Sequence, residues 1–337
     1  MRRVRGGDNM QQITEPTSEA RLPGEDLPRL RILLASPRGF CAGVDRAIRV
    51  VEESLRRHGA PVYVRHEIVH NRTVVESLER QGTVFVEELA EVPAGAPVVF
   101  SAHGVAKSVP VEAGRRGQRA IDATCPLVSK VHREAERHAA AGRHILMIGH
   151  AGHPEVVGTM GQVTPGRMTL VQDLAEAQAV APPDTQRLAF ITQTTLSVDD
   201  TAAIVAVLRS RFPGIVGPRN EDICYATTNR QAAVKEIAAA CDLVVVLGSA
   251  NSSNSQRLRE VAERAGARRA ILLPRPEALD WTALQGVRTL GVTAGASAPE
   301  ALVQALLRAL AGRFRLDIDE TRVRGEDVTF KLPPLAD

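Results

Sequence analysis

The sequence predicts an α/β protein built from three similar units, and three observations support this. Short apolar runs typical of buried parallel strands alternate with longer stretches typical of helices. Three cysteines, Cys41, Cys125 and Cys224, each follow a predicted strand and precede a predicted helix. The two intervals between them are similar in length. We therefore expect a pseudo-threefold arrangement around a common centre.

Composition narrows the class of protein. The 337 residues allow two or three compact units, and 44% hydrophobic with 24% charged residues is typical of a globular protein. Aromatic residues at 3% argue against a stacking platform for single-stranded nucleic acid, and a net charge of +3 gives no support for a nucleic-acid or membrane-surface role. No apolar run is long enough to span a membrane, and we expect a cytoplasmic protein.

The chain begins with an expected disordered extension over residues 1–30, which has no apolar segment typical of a secretory signal. Residues 32–34 then predict a buried strand, which Pro37 and Gly39 end just before Cys41. A helix is expected from about Asp45. A cysteine in this position lies where open α/β sheets place their chemistry.

The three units follow in order. Unit 1 (42–125) contains predicted helices at 45–57 and 73–81, strands at 61–65, 83–86 and 98–100, and a last run that ends at Cys125. Unit 2 (126–220) contains helices at 127–140 and 199–211 and strands at 144–148, 168–171 and 188–191. Unit 3 (221–311) contains strands at 243–247, 270–273 and 289–292. Its three helices are one at 230–240, one that begins near 256 and one that ends at 311.

Unit 3 has no closing cysteine of its own. Residues 31–41 have the strand and cysteine that it lacks, so we expect them to join it in space, leaving 312–337 as a C-terminal tail. The fourth cysteine, Cys241, precedes an apolar strand and is expected to be a buried structural thiol.

The three strand-end cysteines admit more than one interpretation. Small buried side chains are the simplest, because cysteine is among the most buried residue types. Three thiolates at one point instead suit zinc or an iron–sulfur cluster, and three ligands would leave one metal position open for catalysis. The spacing alone does not separate iron from zinc.

Polar residues at the other strand ends predict an anion site. All nine histidines lie between His58 and His153. Of these, His70, His103, His150 and His153 lie at strand ends, whereas His58, His132 and His138 are expected on exposed helix faces. Together with Ser252, Ser253, Asn254 and Ser297, the strand-end histidines could bind a phosphate-like group. The alternatives are structural histidines and a loop that only caps a helix.

Glu155 follows His153 by two residues in a predicted loop. A carboxylic acid close to a metal and an anion would suit proton donation to a leaving hydroxyl. A surface carboxylate that caps the next segment is the alternative.

Nine segments together resemble the 4-hydroxy-3-methylbut-2-enyl diphosphate reductase family, the LytB/IspH type. They are PRGFCAGVDRA, VRHEIVHN, FSAHGV, DATCPLV, GHAGHPEV, TQTTLSVDDT, DICYATTNRQ, GSANSSNS and TAGASAP. The resemblance covers about residues 32–311, and we expect neither terminal segment outside it to bear on the site.

The resemblance implies a trefoil-like protein around a [4Fe-4S] cluster, with one iron not ligated by the protein. It assigns Cys41, Cys125 and Cys224 as cluster ligands and Glu155 as the proton donor. It places His153 and Thr194 near the substrate hydroxyl. It assigns the diphosphate to His70, His103, Ser252, Ser253, Asn254 and Ser297, whereas His150 and Cys241 match no ligand.

The implied reaction is the reductive dehydroxylation of an allylic diphosphate to isopentenyl and dimethylallyl diphosphate. This is the last step of the non-mevalonate isoprenoid route, with electrons from a ferredoxin or flavodoxin. One alternative is a non-catalytic iron–sulfur redox sensor, although no helix-turn-helix pattern or basic stripe accompanies it. The other is a zinc-dependent hydrolase of a phosphorylated small molecule.

Overall fold

The computed structural model describes residues 27–335. Most of the expected N-terminal extension therefore lies outside the described residues. For Arg29 and Leu30 the expectation of disorder is wrong, because both pair with the C-terminal strand and the side chain of Leu30 is fully buried.

The described residues form strands and helices in alternation. The strands are β1 (Arg29–Ser36), β2 (Val62–Arg65), β3 (Thr83–Val86), β4 (Pro97–Phe100), β5 (Arg119–Asp122), β6 (His144–Ile148), β7 (Met168–Val171), β8 (Leu188–Thr192), β9 (Leu243–Leu247), β10 (Ala270–Leu273), β11 (Thr289–Ala294) and β12 (Arg315–Arg322). The helices are α1 (Ala42–His58), α2 (Arg72–Glu79), α3 (Ser108–Arg115), α4 (Pro126–Ala140), α5 (Pro154–Met160), α6 (Leu174–Ala179), α7 (Val198–Arg211), α8 (Tyr225–Ala238), α9 (Ser253–Arg264) and α10 (Glu300–Ala311).

These strands form three parallel sheets. Their orders are β3-β2-β4-β5, β7-β6-β8 and β10-β9-β11-β1-β12. The first strand of the chain thus lies in the last sheet, where Ile32 is paired with Leu290 of β11. Strands β6 and β9 are buried along their whole length, as expected for parallel strands that helices cover on both faces.

The sheets present their carboxyl ends to one site. Each of the three strand-end cysteines donates its amide to a carbonyl just beyond the end of another strand: Cys41 to Ala296 after β11, Cys125 to Ala102 after β4, and Cys224 to Thr194 after β8. The carboxyl edge of a parallel sheet is the usual place for a ligand in this class.

The C-terminal segment is part of the fold. Strand β12 pairs with β1 over eight residues, and Leu332 and Leu335 then pack against the core beside α1. Glu326 forms an ion pair with the buried Arg230, which contacts the loop before Cys41. The expectation that this tail has no bearing on the site is therefore wrong. The polar sequence of the tail gives no local indication of its pairing with β1. Within residues 27–335, no helix has the length and apolar character needed to cross a membrane.

Candidate active site

A cavity with ≈ 740 Å³ of empty space, including its mouth, lies where the strand-end loops meet. Its lining includes every residue that the sequence assigned to the site: Cys41, His70, His103, Cys125, His153, Glu155, Thr194, Cys224, Ser252, Ser253, Asn254 and Ser297. Residues separated by more than 200 positions in the chain thus share one chamber. Among the described lining residues there is no lysine or arginine.

Each of the three cysteines is the N-cap of the helix that follows it, α1, α4 or α8. Burial, with the proximity of Cys41 and Cys224, raises the pKa of the Cys125 thiol to about 12. Burial, followed by proximity to Cys41, raises the pKa of Cys224 to about 11. The sulfur of Cys41 is therefore close enough to the other two to oppose their ionisation.

This donor set fits an iron–sulfur cluster. Buried thiols that resist ionisation become thiolates when a cationic metal centre shares the site. The absent side chain of Gly43 leaves room between two of them, because a β-carbon there would lie 2.6 Å from Cys125 Sγ and 3.8 Å from Cys41 Sγ. Three helix N-termini also favour a net negative charge at this point.

Three histidines form a cluster on one wall. The rings of His70 and His103 stack with centroids 4.1 Å apart, and the ring of His153 contacts both edge-on at 5.5 and 5.8 Å. Burial, with the neighbouring histidines, lowers the pKa of His103 well below its usual value and that of His153 to about 3. At neutral pH these two rings are neutral in the absence of an anion.

Hydrogen bonds orient the rings. Nδ1 of His153 accepts the amide of Glu155 at 3.2 Å, which places the ring proton on Nε2. Nδ1 of His70 lies 3.0 Å from a carboxylate oxygen of Glu67, whose pKa is lowered chiefly by this contact. Asn251 donates to the same oxygen at 2.8 Å. The Nε2 atoms are thus left for a ligand.

Glu155 lies in the first turn of α5, with His153 as the N-cap, and not in the expected loop. Its side chain is 2% exposed. Thr194 donates its amide to Oε1 at 2.6 Å and its hydroxyl to Oε2 at 3.0 Å. Burial, with a smaller contribution from nearby Asp222, nevertheless raises the pKa of Glu155 to about 7. At neutral pH the group can therefore hold or release a proton.

The serine-rich loop forms another part of the lining. Helix α9 begins at Ser253, three residues earlier than expected, because Ser252 caps it by accepting the amide of Ser255 at 3.3 Å. Asn254 accepts the amide of Ala296 at 2.9 Å, and Ser297 donates to the carbonyl of His70 at 2.9 Å. Capping and cavity lining are therefore compatible roles for this loop.

Three other residues lie apart from the chamber lining. His150 contacts Gln193 and lines a neighbouring shallow surface. Cys241 is 3% exposed with its thiol on the carbonyl of Ile237, as the sequence predicted. His138 is only 1% exposed, so the expectation of an exposed face is wrong, because it shares a helix face with Val131 and Ala135.

The sequence reasoning did not assign a role to Thr227. Its hydroxyl lies 3.2 Å from Cys224 Sγ and its amide donates to the same sulfur at 3.4 Å. Asn254 Nδ2 in turn donates to the Thr227 hydroxyl at 3.2 Å. The position three residues after an N-cap cysteine was the available indication, since the N-cap side chain contacts that amide.

Comparisons with known proteins agree with this geometry. A family model described as LytB protein matches residues 32–311. The 4-hydroxy-3-methylbut-2-enyl diphosphate reductase of Gluconobacter oxydans is 71% identical over 91% of this chain and 93% of its own. That of Phenylobacterium zucineum is 64% identical over 91% of this chain and 97% of its own. The solved E-1-hydroxy-2-methyl-but-2-enyl-4-diphosphate reductase from Plasmodium falciparum is 38% identical, with a TM-score of 0.86 over 91% and 96%. The similarity extends over nearly the whole of each protein.

Proposed function

The chain belongs to the LytB protein family, and on this premise we propose how its site works. Its activity is the reductive dehydroxylation of (E)-4-hydroxy-3-methylbut-2-enyl diphosphate to isopentenyl and dimethylallyl diphosphate. This is the last step of the non-mevalonate isoprenoid pathway. The convergence of three cysteines, three histidines and Glu155 on one chamber is the observation that carries the mechanism.

The proposed cofactor is a [4Fe-4S] cluster held by Cys41, Cys125 and Cys224, with one iron not ligated by the protein. The three units would surround it in a trefoil-like, pseudo-threefold arrangement. The equivalent N-cap positions of the cysteines support this, as does the room left by Gly43. When bound, such a cluster supplies single electrons and a Lewis-acidic iron for the leaving oxygen.

The proposed diphosphate site combines His70 and His103 with the hydroxyl and amide groups of Ser252, Ser253, Asn254 and Ser297. Burial keeps the pKa of the free His103 ring low. A diphosphate placed against the ring would raise that pKa, because a nearby anion favours the imidazolium. Substrate binding should therefore take up a proton and supply the cationic donors that the lining otherwise lacks.

The proposed proton donor is Glu155. Thr194 fixes both of its oxygens, and His153 is held next to it by the amide of Glu155. In its protonated form the carboxyl donates to the Thr194 hydroxyl, which can pass a proton to the substrate's hydroxyl oxygen. That oxygen departs as water, and two electrons with a second proton complete the product. His153 and Thr194 would hold the leaving group in place.

We propose a ferredoxin or flavodoxin of the cytoplasm as the electron donor, since the reaction takes electrons singly. Neither alternative from the sequence, a redox sensor or a zinc-dependent hydrolase, gains support from the comparisons. The deciding experiment is an anaerobic assay of the purified protein with the allylic diphosphate and a chemical reductant, alongside iron, sulfide and zinc analysis. Both isoprenoid diphosphates should form. A colourless, zinc-containing protein without turnover would contradict the proposal.

A further inference from the structure

Three basic side chains connect the three cysteine loops to one another. The first is Arg46 of α1, the helix that Cys41 caps. It is 8% exposed, and its Nη1 donates at 3.0 Å to the carbonyl of Thr124, the residue immediately before Cys125. Its Nε donates at 2.8 Å to the carbonyl of Lys331 in the C-terminal segment. Helix α1 is thereby tied to the loop of the second cysteine.

The second is Lys130 of α4, the helix that Cys125 caps. Its ammonium group donates to the carbonyls of Asn220 and Glu221, both at 2.8 Å. It also contacts the carboxylate of Asp222 at 3.2 Å, and that carboxylate accepts the amide of Thr192. These acceptors form the loop that leads into Cys224. Helix α4 is thereby tied to the loop of the third cysteine.

The third is Arg230 of α8, the helix that Cys224 caps. It is fully buried, and its guanidinium donates to the carbonyl of Gly39 at 2.7 and 3.0 Å and to that of Phe40 at 3.1 Å. Phe40 immediately precedes Cys41. The charge is balanced by Glu326 of the C-terminal segment at 3.0 Å. Helix α8 is thereby tied to the loop of the first cysteine.

The three contacts form a closed cycle, in which each helix reaches the loop of the next cysteine. Each basic residue follows its own cysteine by five or six positions. We propose that Arg46, Lys130 and Arg230 are positioning residues that hold the three cysteine sulfurs at the mutual distances a [4Fe-4S] cluster requires. The proposal rests on the cluster site proposed above and adds residues to which that site assigned no role.

Simple satisfaction of buried carbonyls does not account for this pattern. A buried carbonyl needs a donor, but water or a short polar side chain can supply one. Here a long cationic side chain from the helix that follows a different cysteine does so three times, in the same direction around the centre. The two arginines are also anchored by the C-terminal segment, through Lys331 and Glu326. The cycle therefore couples each ligand to the other two.

The test uses Arg46→Met, Lys130→Met and Arg230→Met, with Arg49→Met and Lys235→Met as matched controls. The controls lie on α1 and α8 and contact exposed carboxylates. Each cluster-loaded protein is measured anaerobically for iron and sulfide, for the rate of iron transfer to a chelator, and for the electron paramagnetic resonance spectrum after reduction. Iron transfer should be about 10-fold faster or more in the three variants, as for other residues that orient metal ligands. Their spectra should also change, whereas the controls should match the unsubstituted protein.

Conservative variants separate positioning from folding. Arg46→Lys keeps a donor for the Thr124 carbonyl and should restore slow iron loss in part. Arg230→Lys should restore less, because a single ammonium group replaces a guanidinium that serves three carbonyls and the Glu326 carboxylate. The inference is overturned if the three methionine variants lose iron at the same rate as the unsubstituted protein and give the same spectra. It is equally overturned by variants that only lower the thermal midpoint of the cluster-free protein. If the unsubstituted protein assembles no cluster, the proposed function fails instead, whatever the variants do.

Discussion

Replacement of Glu155 by glutamine tests both the protonation state and the role of this buried acid. Glutamine keeps the shape and can accept the Thr194 amide while donating to the Thr194 hydroxyl, as the protonated carboxyl does. In the native protein the pKa rises from 4.5 to about 7 on burial. Because the folded state then holds its proton more tightly than the unfolded chain, the native protein loses stability as pH rises from about 4.5 to about 7.

The size of the loss in stability follows from the pKa shift of Glu155. It corresponds to about 3 kcal/mol, which glutamine avoids because it carries no charge at any pH. The variant should therefore match the native protein in stability near pH 4.5 and exceed it by several degrees in thermal midpoint above pH 7. A difference in midpoint that does not change with pH would refute the assigned protonation behaviour.

Turnover of the same variant tests the proton-donor role. We expect a decrease of about 100-fold or more with an unchanged cluster absorption spectrum, since loss of a general acid has that effect. Native turnover should fall as pH rises through about 7, because the carboxyl then gives up its proton, and the residual turnover of the variant should lack that dependence. Normal activity in the variant would assign proton donation to another group.

Three further outcomes are expected of the site. Cys41→Ser should lose the cluster absorption and all turnover, whereas Cys241→Ser, with its buried thiol outside the cavity lining, should keep both; equal iron content in the two would contradict the ligand assignment. His70→Asn should raise KM for the diphosphate substrate about 10-fold or more at unchanged iron content, because a charge-assisted hydrogen bond is lost; iron loss instead would make this ring a support of the metal. Gly43→Ala should hinder cluster assembly, measured as iron per chain after reconstitution, because the added carbon would lie 2.6 Å from Cys125 Sγ.

The strands were predictable where burial is complete on both faces. Residues 243–247 match β9 in full, because an uninterrupted apolar run bounded by polar residues is typical of a buried parallel strand. Helix starts were predicted late: α8 begins at Tyr225, not at Arg230. Its first turn is polar and faces the chamber, so the apolar periodicity that indicates a helix begins only after the functional turn.

Strand β12 was not predicted, because its own sequence carries no strand pattern. Residues 315–322 alternate weakly and are mostly exposed, so the local pattern does not indicate a strand. Their pairing comes from β1, nearly 300 positions earlier, whose backbone has an open edge. The periodicity of a segment can be read from its sequence. The distant strand with which the segment pairs, here β1, cannot be read in the same way.

For the site, the location of the residues could be predicted, whereas the hydrogen bonds between them could not. The convergence of the predicted residues on one cavity could be predicted because each lies at a strand end, where topology alone brings side chains together. The hydrogen bonds between these residues could not be predicted, since they join segments that are distant in the sequence. Thr227 joins Cys224 to Asn254, and Asn254 binds the amide next to Ser297. Two hydrogen bonds therefore connect Asn254, in the proposed diphosphate site, to the sulfur of Cys224, a proposed cluster ligand. On the proposed assignments, these hydrogen bonds would couple diphosphate binding to the metal centre, through groups whose residue types, taken one at a time, predict only helix caps.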